Sequence, residues 1–299
     1  MVITKPCRVS PTEAIGGIPM PTHRPGSPRR SLTAVVGFLA TFLAMTLAFT
    51  LPGAASADDQ PIPHPEKDWM GSTILEREGG NPDNQPPSSR AASVEGVDVS
   101  SHQGSVNWSS LWNSGVRWTY VKATEGMTYE NPDFAQQYNG SYNVGMIRGA
   151  YHFALPNVSS GAQQANYFAS NGGGWSRDGK TLPGALDLEY NPYGATCYGL
   201  SQSAMVNWVR DFFNTYKART GRDAVIYTST SWWKTCTGNY AGFGNTNPLW
   251  VPRYGSSVGE LPAGWGFHTM WQYTSSGPIV GDHNRFNGAY DRLKALANG

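Results

Sequence analysis

From Val94 to the C-terminus, short runs rich in β-branched and aromatic residues alternate with stretches whose apolar positions recur at helical spacing. The runs predict strands at 96–100, 118–123, 146–153, 182–189, 224–228, 248–253 and 269–273, and the polar-flanked 279–282 predicts a last one. Between them the spacing predicts helices over 131–143, 161–170 and 201–219. The third has Ser201 at its start as an N-cap and Gly221 just past its end as a C-cap. Strands that alternate with helices make parallel βαβ units. Seven or eight of them in about 205 residues fit a closed α/β barrel better than an open sheet.

Two different patterns precede Val94. Residues 58–92 are rich in Pro, Asn and Ser and have no sustained period, which predicts an extension or linker. Within it, Trp69, Met70, Ile74 and Leu75 are candidates to dock on the main domain. Residues 1–57 carry Arg24, Arg29 and Arg30, an uncharged apolar run of 20 residues from Leu32 to Leu51, and then Ala55-Ser56-Ala57. Basic, apolar and small-residue segments in that order predict a cleaved signal peptide. Met20 is an alternative start, and Arg29-Arg30 leaves open the choice between general and twin-arginine export. The run is also long enough to span a bilayer, so a retained anchor is the rival reading.

Removing residues 1–57 takes five of the 22 basic and one of the 21 acidic residues, which leaves 17 and 20 and a net charge of −3. No polybasic face remains for nucleic acid. All eleven Trp stay, enough for a substantial core. Cys7 is removed, and two cysteines in an exported chain, Cys197 and Cys236, predict one disulfide, with a pair of free buried thiols as the alternative. No metal, cofactor or membrane partner is expected beyond the export signal, and the chain is expected to act as a monomer.

The most informative element is Ala185-Leu186-Asp187-Leu188-Glu189-Tyr190. Side chains alternate along a strand, so Asp187 and Glu189 share one face, with Cα atoms about 6.5 Å apart, while Leu186 and Leu188 take the other. Helices covering the leucine face would turn both acids into the barrel at its C-terminal mouth, where barrel enzymes keep their active sites. Asp98 lies in the first predicted strand and Asp282 in the last. Those strands are neighbours in a closed barrel, so the two acids should meet. Four carboxylates in one pocket raise one another's pKa, as a general acid requires. Tyr151, Phe153, Tyr190, Tyr227, Trp250, Trp271 and Tyr273 fall near the same rim, and aromatic faces can stack on sugar rings. His102 and His152 read as structural histidines. No H-E-x-x-H, G-x-S-x-G, GxGxxG or P-loop motif supports metal, serine or nucleotide chemistry.

The segments GVDVSSHQG (96–104), YVKATEG (120–126), GAYHFA (149–154), LDLE (186–189), VIYTS (225–229), LWVPRYG (249–255) and WQYT (271–274) together resemble glycoside hydrolase family 25, the Chalaropsis-type N-acetylmuramidases. They span nearly all of residues 93–299. The resemblance implies an irregular TIM-like (β/α) barrel with eight strands and fewer than eight helices. It also implies hydrolysis of the β-1,4 bond between N-acetylmuramic acid and N-acetylglucosamine in bacterial peptidoglycan. On the same resemblance Glu189 is the general acid, Asp187 orients the 2-acetamido group or a water, and Asp98 and Asp282 are electrostatic partners. Tyr151, Tyr227 and Trp271 line a sugar subsite, with Phe153 and Tyr190 beside them. The D-x-E pattern fits substrate-assisted retention, with inverting and direct-nucleophile routes left open. Pro252 departs from a regular strand and predicts a bulge or an altered rim there. A chitinase-like hydrolase is one rival, although Pro183, Gly184 and Ala185 stand where that family expects acids. A non-catalytic wall-binding barrel is the other.

Overall fold

The computed structural model describes residues 61–81, 83 and 92–299. The predicted signal peptide lies outside them.

Strands β1 (Val94–Val99), β2 (Trp118–Glu125), β4 (Ile147–Phe153), β5 (Ala185–Leu188), β6 (Val225–Thr228), β7 (Leu249–Pro252), β8 (Met270–Thr274) and β9 (Asp282–Phe286) close into an eight-stranded barrel. A two-residue strand β3 (Tyr129–Glu130) adds a hairpin to β2. Neighbours from β1 round to β8 are parallel, while β9 runs antiparallel to both β8 and β1. The parallel repeat inferred from the sequence therefore breaks at the last strand. A short loop after β8 leaves no room for a crossover helix, so the chain returns directly. The last strand also begins at Asp282 instead of ending there.

Seven helices are present among the described residues: α1 (Ile74–Glu78), α2 (Trp108–Asn113), α3 (Phe134–Asn143), α4 (Gly161–Ser170), α5 (Gln202–Thr220), α6 (Thr230–Thr237) and α7 (Tyr290–Asn298). In α5 the Ser201 hydroxyl accepts from the Ala204 N–H, and Gly221 ends the helix at φ 75°. A left-handed terminus of this kind favours glycine. Leu186 and Leu188 point outward from β5 into a layer with Phe168 of α4 and Met205, Val209 and Phe212 of α5. That coverage forces Asp187, between the leucines, to face the barrel interior.

The lower interior is filled by rings. Trp118, Tyr120 and Trp250 meet with centroids 4.9–6.2 Å apart, and Tyr227 stands edge-on to Trp250. Small residues opposite make room, since a Cβ on Gly96 would lie 2.2 Å from the Trp118 ring and one on Gly149 2.3 Å from Tyr120. The polar tips are paired: Trp118 Nε1 donates to Val94 O, Trp250 Nε1 to Asn284 Oδ1, and Tyr120 Oη to Pro183 O. Cys197 and Cys236 form a disulfide that ties the loop before α5 to α6.

Pro252 closes β7 in regular pairing with Gln272. The register shifts fall instead at Lys122/Thr124 and Gln272/Thr274. A strand's final residue can lack an N–H donor without disturbing the ladder, which is why no bulge forms at Pro252.

Candidate active site

The C-terminal ends of β1, β2, β4, β5 and β8, together with the start of β9, gather one buried polar cluster. Asp98 and Asp282 are directly paired in register across β1 and β9. The antiparallel direction of β9 puts its first residue at the same mouth as the last residues of the parallel strands. Asn284, two residues further along the same face, donates from Nδ2 to Asp98 Oδ2 at 2.7 Å. Gln272 donates to Asp98 Oδ2 at 3.0 Å and Asp282 Oδ2 at 3.4 Å. Its Oε1 accepts from Tyr227 Oη at 2.8 Å and Tyr254 Oη at 2.9 Å.

Asp187 is fully buried, and neither carboxyl oxygen has a hydrogen-bond partner among the described residues. Glu189 is the first residue beyond β5 and is also buried. Burial pushes the Glu189 carboxyl up to about 7, against hydrogen bonds from Thr73 and Gly71 that pull it down. Asp98 is likewise raised to about 7 by burial, with hydrogen bonds from Gln272 and Asn284 opposing and the nearby Glu189 adding to the rise. Burial and then the Glu189 charge hold Asp187 well above its usual range. Asp282 is raised by burial first, then by Asp98. Desolvation is therefore the leading cause at all four acids, and repulsion by a neighbouring acid, the cause anticipated from the sequence, comes after it at Asp98, Asp187 and Asp282.

Beside them Lys122, wholly buried in β2, bonds Glu125 and the Pro65 and Asp68 carbonyls. Burial pushes the Glu125 carboxyl well up, with Lys122 opposing. Lys122 lies 5.1 Å from the Phe153 ring centroid, so Phe153 forms a wall of this cluster. Tyr151 and Tyr227 point into the interior. Tyr190 donates from its hydroxyl to Glu78 Oε1 at 2.9 Å.

Trp271, expected in a sugar subsite, lies on the opposite face of β8 from Gln272. Alternation on β8 sends Gln272 inward and Trp271 outward with Tyr273, and the two rings meet edge-on at 5.9 Å. Its Nε1 donates to Arg253 O. Tyr273 shares this outer face with Glu95 and Arg285. Trp250 belongs to the ring-filled lower interior, below the carboxylates. His152 bridges Thr124 and Gln164 outside the barrel, and burial lowers its pKa to about 4.

Gln272, Asn284, Tyr254, Lys122 and Glu125 complete the cluster without having been assigned roles from the sequence. The alternation inside WQYT was the available signal for Gln272. The polar run DHNRF of β9 concealed Asn284, because it reads as a loop until its partners are known.

The residues 61–81 run over this mouth. Met70 is fully buried; its N–H donates to Tyr151 Oη at 3.1 Å and its carbonyl accepts from Gln272 Nε2 at 3.0 Å. The Gly71 N–H donates to Glu189 Oε1 at 2.8 Å, and the Thr73 N–H and hydroxyl donate to Oε2. Trp69 stacks on His102 with centroids 4.1 Å apart. Glu78 of α1 accepts from Ser229 as well as Tyr190. Of the docking residues expected from the sequence, Met70 and Ile74 are buried, and Leu75 packs partly buried against the same core.

Residues 97–282 match the model of glycosyl hydrolases family 25. Lysozyme M1 of Streptomyces globisporus is 48% identical over 294 residues, covering 93% of this chain and 99% of that one. An N,O-diacetylmuramidase of Chalaropsis sp is 48% identical over 210 residues, covering 69% of this chain and all of its own. The solved muramidase from Acremonium alcalophilum shares 60% identity at a TM-score of 0.68, over 69% of this chain and 99% of its own. A family match over most of the barrel, on a barrel that carries buried acids at its mouth, leaves one assignment: this chain belongs to glycosyl hydrolases family 25.

Proposed function

We propose that this chain is an exported N-acetylmuramidase that hydrolyses the β-1,4 bond between N-acetylmuramic acid and N-acetylglucosamine in bacterial peptidoglycan. The observation that carries the reading is the pair Asp187 and Glu189 at the end of β5, both buried and both with raised pKa. A carboxyl titrating near 7 keeps its proton at neutral pH and can give it up in a transition state.

In the proposed reaction Glu189 delivers its proton to the glycosidic oxygen as the C–O bond breaks. Asp187 orients the 2-acetamido group, whose oxygen attacks the anomeric carbon and forms a cyclic oxazolinium. Water then opens that ring, passing its proton to the Glu189 carboxylate and restoring the acid. Asp98 and Asp282, steadied by Gln272 and Asn284, shape the field around the developing positive charge. Tyr151, Tyr227 and Phe153 form the wall against which the sugar packs. Export follows from the basic, apolar and A-x-A order of residues 1–57. Among the described residues no helix is long and apolar enough to cross a membrane.

The test is digestion of purified peptidoglycan, borohydride reduction of the products and mass spectrometry. New muramitol ends that disappear in Glu189→Gln are the expected result. Glucosaminitol ends would mean the wrong bond, and bound but uncut polymer would move the protein to a wall-binding role.

A further inference from the structure

We propose that residues 61–81 form an inhibitory pro-segment, in which Met70–Thr73 occupies the glycan groove and blocks Glu189 until the connection to the barrel is cut. The proposal rests on the muramidase reading and assigns that site its regulation.

Three independent observations carry it. First, the segment engages the groups that a glycan would need. Its backbone and Thr73 donate to both oxygens of Glu189, and its Met70 backbone takes up Tyr151 and Gln272. A carboxyl enclosed on both oxygens cannot reach a glycosidic oxygen, and the buried Met70 side chain lies among the interior rings Tyr151, Tyr227 and Trp250. Second, the fit is close. Gly71 sits at φ +92°, and a Cβ there would lie 2.5 Å from Gln272 Oε1, 2.6 Å from Tyr254 Oη and 2.8 Å from Tyr227 Oη. Only glycine passes through that gap in that conformation. Contacts on either side hold the strap down: Lys122 bonds the Pro65 and Asp68 carbonyls, and the Asn81 N–H donates to Tyr254 O.

Third, the barrel of related muramidases does without it. The Chalaropsis and Acremonium proteins are matched over essentially their whole length by 69% of this chain, about the share the barrel occupies. The Streptomyces globisporus match covers 93% of this chain and so must run well beyond the barrel. The extra segment is thus an addition at the mouth, and its place there is the place of substrate.

Release needs one peptide bond hydrolysed between Asn81 and Val94. An endopeptidase adds one water across that bond, leaving a new carboxylate on the segment and a new amine on the barrel. Covalent tethering sets an effective concentration of about 1 mM for a short linker. A segment that binds in trans at ~10 μM would then leave about 1% of the uncut protein open, a roughly hundredfold restraint.

The test places a site for a sequence-specific protease between Asn81 and Ala92 of the exported chain. Hydrolysis of peptidoglycan is measured before and after the cut and wash, and again after a synthetic 61–81 peptide is added back. Gly71→Val in the uncut chain is the second arm. The expected results are low turnover before the cut, a gain of about a hundredfold after it, re-inhibition by the peptide but not by its Gly71→Val form, and activity without cutting in the Gly71→Val chain. Equal turnover before and after cutting, or a cut enzyme indifferent to the peptide, would overturn the proposal. If no form hydrolyses peptidoglycan, binding of the labelled peptide to the cut protein and its displacement by muropeptides still decides occupancy. Displacement then upholds the groove assignment while the muramidase reading fails; no displacement overturns both.

Discussion

The lower half of the barrel interior and its mouth are built from the same strands and obey opposite rules. Below, Trp118, Tyr120 and Trp250 pack ring on ring, and the polar atoms of these three rings find acceptors. Above, neither oxygen of the buried Asp187 has a hydrogen-bond partner among the described residues, and all four acids are buried. The floor gains from burial, because apolar area leaves water and no donor is orphaned. The mouth is strained by burial, because an ionised carboxylate there has lost its hydration. Stability is concentrated in one region, and the other is kept reactive at stability's expense.

The largest effect that separates the two halves is catalytic. In the chain freed of its segment, Glu189→Gln should cut turnover by about 10³-fold, within the range of a lost general acid, and leave thermal stability equal or higher. A variant that keeps wild-type turnover would remove Glu189 from that role. On the floor, Trp118→Ala should cost about 3–5 kcal/mol in denaturant unfolding. Its rate per folded molecule should change far less than that of Glu189→Gln.

The disulfide sets an intermediate scale. It joins residues 39 apart in sequence, and opening it by Cys197→Ala with Cys236→Ala should cost about 4 kcal/mol in the chain-entropy model. Calorimetry of the pair against the parent checks this, and an unchanged midpoint would argue against that model here.

The pH dependence of stability comes next. Asp98 and Glu189 hold protons up to about 7 in the folded chain, against ordinary values of 3.8 and 4.5. The folded state therefore binds more protons than the unfolded one between about pH 4 and 7, and stability falls as pH rises through that window. The contribution is fully present below the unfolded values and lost above the folded ones. Thermal melts across the window should show the decline, and Asp98→Asn should flatten it. A midpoint that rises with pH would contradict the buried-acid assignment. The smallest effect distinguishes two adjacent residues on β8. Gln272→Ala should lower kcat/KM at least about tenfold, whereas Trp271→Phe should leave it within about twofold. The reverse order would return Trp271 to the groove.

Much of this architecture was readable from local pattern. Alternation between leucines placed Asp187 inward, and the cap pair Ser201 and Gly221 bounded α5 within a residue of its true ends. Cys197 and Cys236 were paired from exported context and number alone. The limits are equally local in origin. The strand DHNRF has too few apolar residues to announce itself, since its burial comes from the barrel and not from its own side chains. In WQYT the aromatic rings mask the inward-facing Gln272, although alternation separates them.

The period of the elements, the face on which Asp187 lies and the family motifs are encoded locally, because they depend on residues a few positions apart. The rest arises from contacts between distant parts of the chain. Reversal of β9 brings Asp282 to the mouth with Asp98, a pairing of residues 184 positions apart that no local period encodes. Segment 61–81 has no period of its own and takes its order from the groove, where Glu189, Gln272 and Tyr151 supply partners for its backbone. The protonation of the acids was decided there too, because desolvation is a property of what covers a carboxyl and not of the residues beside it in the chain.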